Sequence, residues 1–303
     1  MSRSVPVRSA WVPVAPAHTV KKNHGKGKTP LKVSIHDRPL SVFWNEKTDT
    51  PSVLNDSCSH RGASLSIGSI DSTGCVTCKY HGKKTRGKPS DSKVVNGVIW
   101  YNDKALDAAG TGGIDDIPDH DDFSGENRVH VYERLFEDCN PLLMQENTLD
   151  WLHLEFIHRI KAIQGLPVVT IHDENTATYA YETYNDDLSI TVENRFWNWC
   201  TCLRFFFNDS LAFSLHFAWV PCGKNSTRGI VRITRSEDYT GVLGDRFLEL
   251  VNELPLMEDR DIVQTIPSAR RWGDDRLGIE DAFLKQFRDW FSESYPETKE
   301  YYV

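Results

Sequence analysis

The pattern of hydrophobic and polar positions along this chain changes texture once. From about residue 7 to 102 the apolar residues come in short runs, such as Leu40 to Trp44, Ser52 to Asn55 and Val98 to Tyr101, bounded by Gly, Asn, Asp and Pro. Runs of that length between turn formers predict short strands and a small all-β unit. Residues 103 to about 125 are rich in Gly, Asp and Pro and read as a linker. A helical pattern over Asn140 to Ile160 opens the second part. It precedes five strand-like runs, Thr176 to Tyr184, Leu188 to Trp199, Leu203 to Asn208, Leu211 to Val220 and Gly229 to Ser236. Asn185-Asp186-Asp187 and Asn208-Asp209-Ser210 are turn signals between them. Helical periodicity returns at about 242 to 266 and at 279 to 291. The pattern predicts an α+β chain of two domains: residues 1–120, all-β with its linker, and residues 121–303, a curved antiparallel sheet wrapped by helices.

Chemistry enters through four residues of the first part. Cys58 and His60 form a CxH pair, Cys78 and His81 a CxxH pair, and seventeen residues separate the pairs. The segments NDSCSHRGASLSIGS and GCVTCKYHGKK each offer a thiolate and an imidazole in one tight loop, with glycines that let the backbone approach. Two such loops can clamp a 2Fe-2S cluster of the Rieske type, thiolates on one iron and imidazoles on the other. Replacing two Cys by two His raises the potential to roughly −150 to +300 mV. Zinc is the alternative, because Cys75 and Cys78 also form a CxxC. Cys75 reads instead as a small buried residue on the strand entering the second loop.

Composition narrows the field. Of 303 residues 39% are hydrophobic, with nine Trp and fourteen Phe, enough for sizeable cores. With 35 basic and 43 acidic residues the formal charge is −8, which argues against nucleic acid as a partner. No run approaches the ~20 apolar residues of a membrane span. The N-terminal MSRSVPVRSAWVPVAP lacks the apolar core of a secretory signal. Seven Cys, two of them needed as thiolates, fit a cytoplasmic or other reducing soluble compartment.

The second constellation is QENTLDWLHLEFIH, with Glu146, Asn147, Asp150, His153 and His158. The two His are five apart, about 140° around a helix, so they converge on one metal only if the helix ends or bulges between them. Alone, they read more readily as ordinary half-buried residues beside Trp151, Leu154 and Phe156 than as metal ligands.

The pattern NxxDxxHxxxxH downstream of CxHx17CxxH resembles the oxygenase (alpha) components of Rieske nonheme iron oxygenases over nearly the whole chain. The WVPVAP, SHRGASLSIG, ENTLD and WVPCGKNSTRG segments look most like the vanillate O-demethylase and pheophorbide a oxygenase branch. The resemblance implies a Rieske domain followed by a helix-grip catalytic domain. It implies that His153, His158 and a carboxylate about a hundred residues later hold a mononuclear Fe(II) with positions open for O2 and substrate. LMEDRDIVQTIP supplies that carboxylate at Asp259, with Glu258 and Asp261 as alternatives. It further implies catalytic roles for Asp150 and Asn147. Asp150 would link His81 of one protomer to His153 of its neighbour in a homotrimer. Ser59 and Lys83 depart from the family, which often has Pro after the first Cys and an aromatic after YHG.

The activity implied is hydroxylation or oxidative demethylation of a small organic substrate, by mono- or dioxygenation. Because no GxGxxG or flavin-binding segment is present, electrons would come from an external reductase or ferredoxin. Lys79, Lys83, Lys84, Arg86 and Lys88 either dock an acidic partner or form a solvated loop. Residues 21–32, KKNHGKGKTPLK, read as an exposed loop. Two other readings remain open: a Rieske electron carrier with a ligand-binding domain lacking catalytic iron, and a zinc-stabilised binding protein. In Leu211 to Val220 the large residues Leu211, Phe213, Leu215, Phe217 and Trp219 alternate with Ala212, Ser214, His216 and Ala218. The small face is a candidate lining for the substrate pocket, with His216 read either as a polar anchor there or as a satisfied structural histidine.

Overall fold

The short apolar runs become short strands in the computed structural model, which describes residues 11–23, 27–88, 91–103, 129–158, 163–197, 199–223, 225–237, 254–267, 270 and 272–294. Contacts divide these into two compact units. One comprises the described residues of Ser9–Asp119 with those of Val220–Lys224, the other those of His120–Trp219 and Asn225–Val303.

The first unit runs β1 (Trp11–Pro16), α1 (Ala17–Lys22), β2 (Leu31–Ile35), β3 (Arg38–Asn45), β4 (Thr50–Asn55), β5 (Ser69–Ile70), β6 (Cys75–Thr77), β7 (Lys84–Arg86), β8 (Ser92–Val95) and β9 (Val98–Asn102). These form three antiparallel sheets, ordered β1-β9-β8, β2-β3-β4 and β5-β6-β7. Two hairpins close on two-residue turns with both φ positive, His36-Asp37 (47° and 59°) and Asn96-Gly97 (53° and 74°). Such turns match the twist of the strands they join. The His36 and Asp37 amides donate to Pro221 and Cys222 carbonyls, at 2.7 and 3.0 Å. Residues 21–32 are not one loop, because Lys21 and Lys22 end α1 and Leu31 begins β2. Most of the predicted linker lies outside the described residues; Asp103 is buried and paired with Arg38.

The second unit contains β10 (Val129–Glu137), α2 (Pro141–Leu149), α3 (His153–Phe156), β11 (Ile163–Ile171), β12 (Thr176–Thr183), β13 (Ile190–Trp197), β14 (Cys200–Phe207), β15 (Ser210–Gly223), β16 (Ser226–Arg235), α4 (Leu254–Val263) and α5 (Ala282–Ser294). Its strands make one seven-stranded sheet ordered β10-β16-β15-β14-β13-β12-β11. The five predicted strands are its interior and next-to-edge members. The two edges, β10 and β11, carry no clear alternation because an edge strand half-faces solvent. In β11, Pro167 sits at a register shift between Gln164 and Val168, where a missing amide costs no ladder bond.

The expected helix over 140–160 is broken into α2 and α3. Of the segment expected from 242 to 266, α4 takes the described part. The face of α5 carrying Phe283, Phe287 and Phe291 is fully buried, an i, i+4, i+8 stripe. Its rings meet Phe196 at 5.3 and 5.1 Å and Trp199 at 5.0 Å. Each such ring contributes about 1.5–3 kcal/mol of burial. No helix among the described residues is long and apolar enough to cross a membrane.

Candidate functional site

The two cysteine loops of the first unit are copies of one design. Cys58 N–H donates to Ala63 O and Gly62 N–H to Cys58 O, both at 2.8 Å. In the second loop Cys78 N–H donates to Lys83 O at 2.8 Å and Gly82 N–H to Cys78 O at 2.9 Å. The glycine four residues after each Cys has φ of 73° and 70°, a left-handed turn that other residues resist. Each loop therefore buries its thiol and exposes its imidazole. Cys58 and Cys78 belong to one apolar cluster with Phe43, Leu65, Ile70 and Val76. Above them the His60 and His81 rings lie 4.9 Å apart at 73°. The Tyr80 amide, against the effect of burial and with help from Cys58 and the His81 amide, holds the Cys78 thiol below its usual range. That favours the thiolate a metal needs.

Two adjacent thiols and two adjacent imidazoles form a complete Cys2His2 donor set and fit a Rieske cluster. Cys75 stays outside it: on β6 its sulfur accepts from Thr73 Oγ1 at 3.4 Å and Arg86 Nε at 3.5 Å. Asp56, which belongs to no motif, ties the first loop down with its carboxylate. It accepts from Ser41 Oγ at 2.6 Å, Ser66 N–H at 2.6 Å, Ser66 Oγ at 2.9 Å and Ser64 Oγ. Burial would raise its pKa; these hydrogen bonds outweigh burial and lower it. Of the five predicted docking cations, Lys84 pairs with Asp71 at 2.8 Å and Arg86 braces Thr73 and Cys75. Lys79, Lys83 and Lys88 are exposed.

The second site depends on how α2 begins and ends. Asn140 caps it by accepting from Leu142 N–H at 2.8 Å, with Pro141 at the first turn. At the far end Asp150 turns extended (φ −84°, ψ 110°), and its Oδ1 accepts from Leu152 N–H at 2.9 Å. That break re-aims the chain into the single turn of α3, and α3 itself ends at Phe156, between the two histidines, so His153 and His158 converge as one uninterrupted helix could not. Their rings are 5.0 Å apart at 79°.

Asp259 of α4 completes the group, its Oδ1 3.1 Å from His158 Nε2 and 3.6 Å from His153 Nε2. The three ligand atoms lie within 4.8 Å of one another, and no side chain of the three exceeds 11% exposure. Beyond its approach to the two imidazoles Asp259 Oδ1 is buried with no hydrogen-bond partner; an under-satisfied group of that kind is costly, and a cation would relieve it. Two imidazoles and one carboxylate fit Fe(II) with open positions. Glu258 does something different: its Oε2 is 2.9 Å from His158 Nδ1, turning Nε2 toward Asp259. Asp261 faces Arg260 at 2.5 Å and joins neither. Burial lowers the His153 pKa against the pull of Asp259 and Asp150. For His158 burial also opposes the charge, yet Asp259 and Glu258 outweigh it and raise the pKa. Asp150 is raised by burial, partly countered by His153. Glu146 is no part of the metal group. Arg288 grips it with two hydrogen bonds, 2.7 and 2.8 Å, and also holds Asp275 at 2.7 Å, clamping α2 to α5.

A cavity of about 400 Å³ adjoins these residues. Its far wall is one face of the sheet, reached by period-two alternation: Tyr179 and Tyr181, Val192 and Asn194, Leu203 and Phe205, then Phe213, Leu215 and Phe217. The register aligns them, Tyr179 opposite Val192, Val192 opposite Phe205 and Phe205 opposite Phe213. Asn147, Thr148 and Asp150 line the metal side. The expectation for β15 is thus corrected. Alternation holds, but the large face lines the cavity, while His216 points to the other face, 3.7 Å from Cys202 Sγ. That small face is also buried, Ser214 bonding Thr234 at 2.5 Å, so size and polarity alone could not tell which face met the helices. Tyr181 and Asn194 were not foreseen, since alternating Tyr and Asn in a strand are unremarkable until a cavity faces them.

Comparison with known proteins adds three findings. Residues 10–94 match the family described as Rieske [2Fe-2S] domain. A chloroplastic pheophorbide a oxygenase of Oryza sativa subsp. japonica is 31% identical over 87 residues, 29% of this chain and 16% of that protein. The chain spans less than half the length of the curated relatives it matches. Among solved structures, Pseudomonas putida CBB5 NdmA, in a mutant with caffeine, superposes with a TM-score of 0.71 at 20% identity, covering 96% of this chain and 92% of that one. Dicamba monooxygenase bound to dicamba gives 0.73 at 17%, covering 98% and 100%. At such identities the likeness is one of fold.

Proposed function

From the premise that residues 10–94 are a Rieske 2Fe-2S domain, in a chain homologous to pheophorbide a oxygenase, we propose that this protein is the oxygenase component of a Rieske nonheme iron system. It uses O2 and electrons from a separate reductase or ferredoxin to hydroxylate or oxidatively demethylate a small organic substrate. One observation carries this reading: His153, His158 and Asp259, the carboxylate buried and the two imidazoles half-buried, meet at the wall of an apolar cavity. An electron carrier needs no such cavity beside a second metal group.

In this reading Cys58, His60, Cys78 and His81 hold the cluster, and His153, His158 and Asp259 hold the mononuclear iron. When bound, the cluster supplies single electrons and the iron a place where O2 and substrate meet. The protein's own share is position and environment. Glu258 fixes the ring of His158 through Nδ1. The aromatic wall excludes water and seats the substrate beside the metal group. Asp150 ends α2 next to His153 and, in a homotrimer, would join His153 to His81 of a neighbouring protomer. Lys79, Lys83 and Lys88, exposed and outside the contacts that engage Lys84 and Arg86, are the cations that would meet an acidic reductant.

The test is metal and sulfide analysis followed by O2 uptake coupled to product, with a surrogate reductase. The expected result is about three iron and about two acid-labile sulfides per chain. Two iron and no substrate-dependent O2 uptake would favour the carrier. Asp150→Asn should retain both metals yet lower turnover at least about 10-fold. Normal turnover with iron retained would remove the bridge.

A further inference from the structure

The walls of the cavity say which molecules it can take. Resting on the oxygenase reading, we infer that the substrate is an uncharged ring compound that presents one hydrogen-bonding group to Tyr181, and that carboxylates are rejected.

Three observations converge. The first is shape and surface: the sheet wall is aromatic and aliphatic, and Phe205 and Phe213 stack at 4.3 Å and 14° into a flat platform. Flat rings pack on such a surface with a gain beyond area alone. A volume of about 400 Å³ lies at the low end of ligand cavities and suits a molecule of about two rings.

The second is charge. Among the described lining residues the formally charged side chains are Asp150, Glu258 and Asp259, with His153 and His158 beside them, and neither Lys nor Arg is present. A dication at the metal group would still leave the three carboxylates one charge in excess. A carboxylate substrate would therefore lose its water and find no cationic partner in exchange, which is costly.

The third is Tyr181. The side chain is 7% exposed and lines the cavity, and its hydroxyl makes no hydrogen bond to a described residue. Its neighbour on the same face, Tyr179, instead donates to Leu149 O at 3.4 Å. Burial, reinforced by Asp150, raises the Tyr181 pKa, so the hydroxyl stays protonated and able to donate as well as accept. A buried phenol without a partner is offered to whatever fills the cavity.

Three matched probes separate these contributions: 2-methoxynaphthalene, 6-methoxy-2-naphthol and 6-methoxy-2-naphthoate. Their affinities for the anaerobic, iron-loaded holoprotein are measured by calorimetry, a readout that needs no turnover. The naphthol should bind about 10-fold more tightly than methoxynaphthalene, and at least about 100-fold more tightly than the naphthoate. Tyr181→Phe, checked for an unchanged melting temperature, should erase the advantage of the naphthol and leave methoxynaphthalene within about twofold. Tyr181→Phe weakening all three alike, or naphthoate binding as tightly as naphthol, would overturn the inference. So would no measurable binding of either neutral probe. If the order holds but no compound supports coupled O2 uptake, the oxygenase reading fails while the selectivity stands.

Discussion

Two pairs of imidazoles in this molecule have almost the same geometry and opposite origins. His60 and His81 stand 4.9 Å apart at 73°, His153 and His158 5.0 Å apart at 79°. The first pair is exposed and is placed by two short loops, each closed by its own backbone hydrogen bonds and a left-handed glycine. The second pair is enclosed, and its third member lies a hundred residues away on another helix. Metal sites can thus be built locally, from loop geometry, or globally, from packing. The difference decides what breaks each one.

The largest expected effect separates the two outright. Cys78→Ser should abolish the visible absorption of the cluster, whereas Asp259→Ala should leave that absorption intact and remove one iron per chain. Asp261→Ala should do neither. Iron analysis beside the visible spectrum reads all three, and loss of iron from Asp261→Ala but not from Asp259→Ala would reverse the ligand choice.

The packed site should also be the one that suffers from a distant change. Arg288 is bonded to Glu146 across 142 residues, and Arg288→Met strands a buried carboxylate at a cost of about 3–5 kcal/mol. Urea denaturation followed by tryptophan fluorescence measures it; a loss below about 1 kcal/mol would show that the clamp does not hold α2. A smaller effect is expected at Glu258. Glu258→Gln should weaken mononuclear iron binding by about 10-fold without altering the cluster spectrum, as followed by chelator competition.

The smallest effect belongs to the loop-built site and depends on pH. The folded-state pKa of Asp56 lies below its ordinary value of 3.8. Its stabilisation is therefore complete above that value and is lost as pH falls through the lower folded one. Acid titration below about pH 4, read by visible circular dichroism of the cluster, should show a transition whose slope Asp56→Asn reduces. An unchanged slope would mean that Asp56 carries no part of the acid sensitivity.

Legibility in the sequence followed the same division. The hairpin around Asn208-Asp209, the interior strands of the large sheet and the cysteine loops were readable because each is dictated by residues a few positions apart. Cys75 on β6 was readable for the same reason. The edge strands β10 and β11 were missed because solvent on one side blurs their alternation. One helix over 140–160 was expected because apolar spacing continues through Asp150, and the break lies in a cap that periodicity does not register.

The residues themselves determined the donor types, their spacing and the alternation of β15. They did not determine which face of β15 would meet the helices, which of Glu258, Asp259 and Asp261 would reach His153 and His158, or that Tyr181 would face a cavity. Those choices fell to tertiary structure, because each depends on which surfaces of distant elements are pressed together. Adjacent carboxylates one residue apart differ by about 100° around a helix, and only the packing of α4 selects the one that points inward.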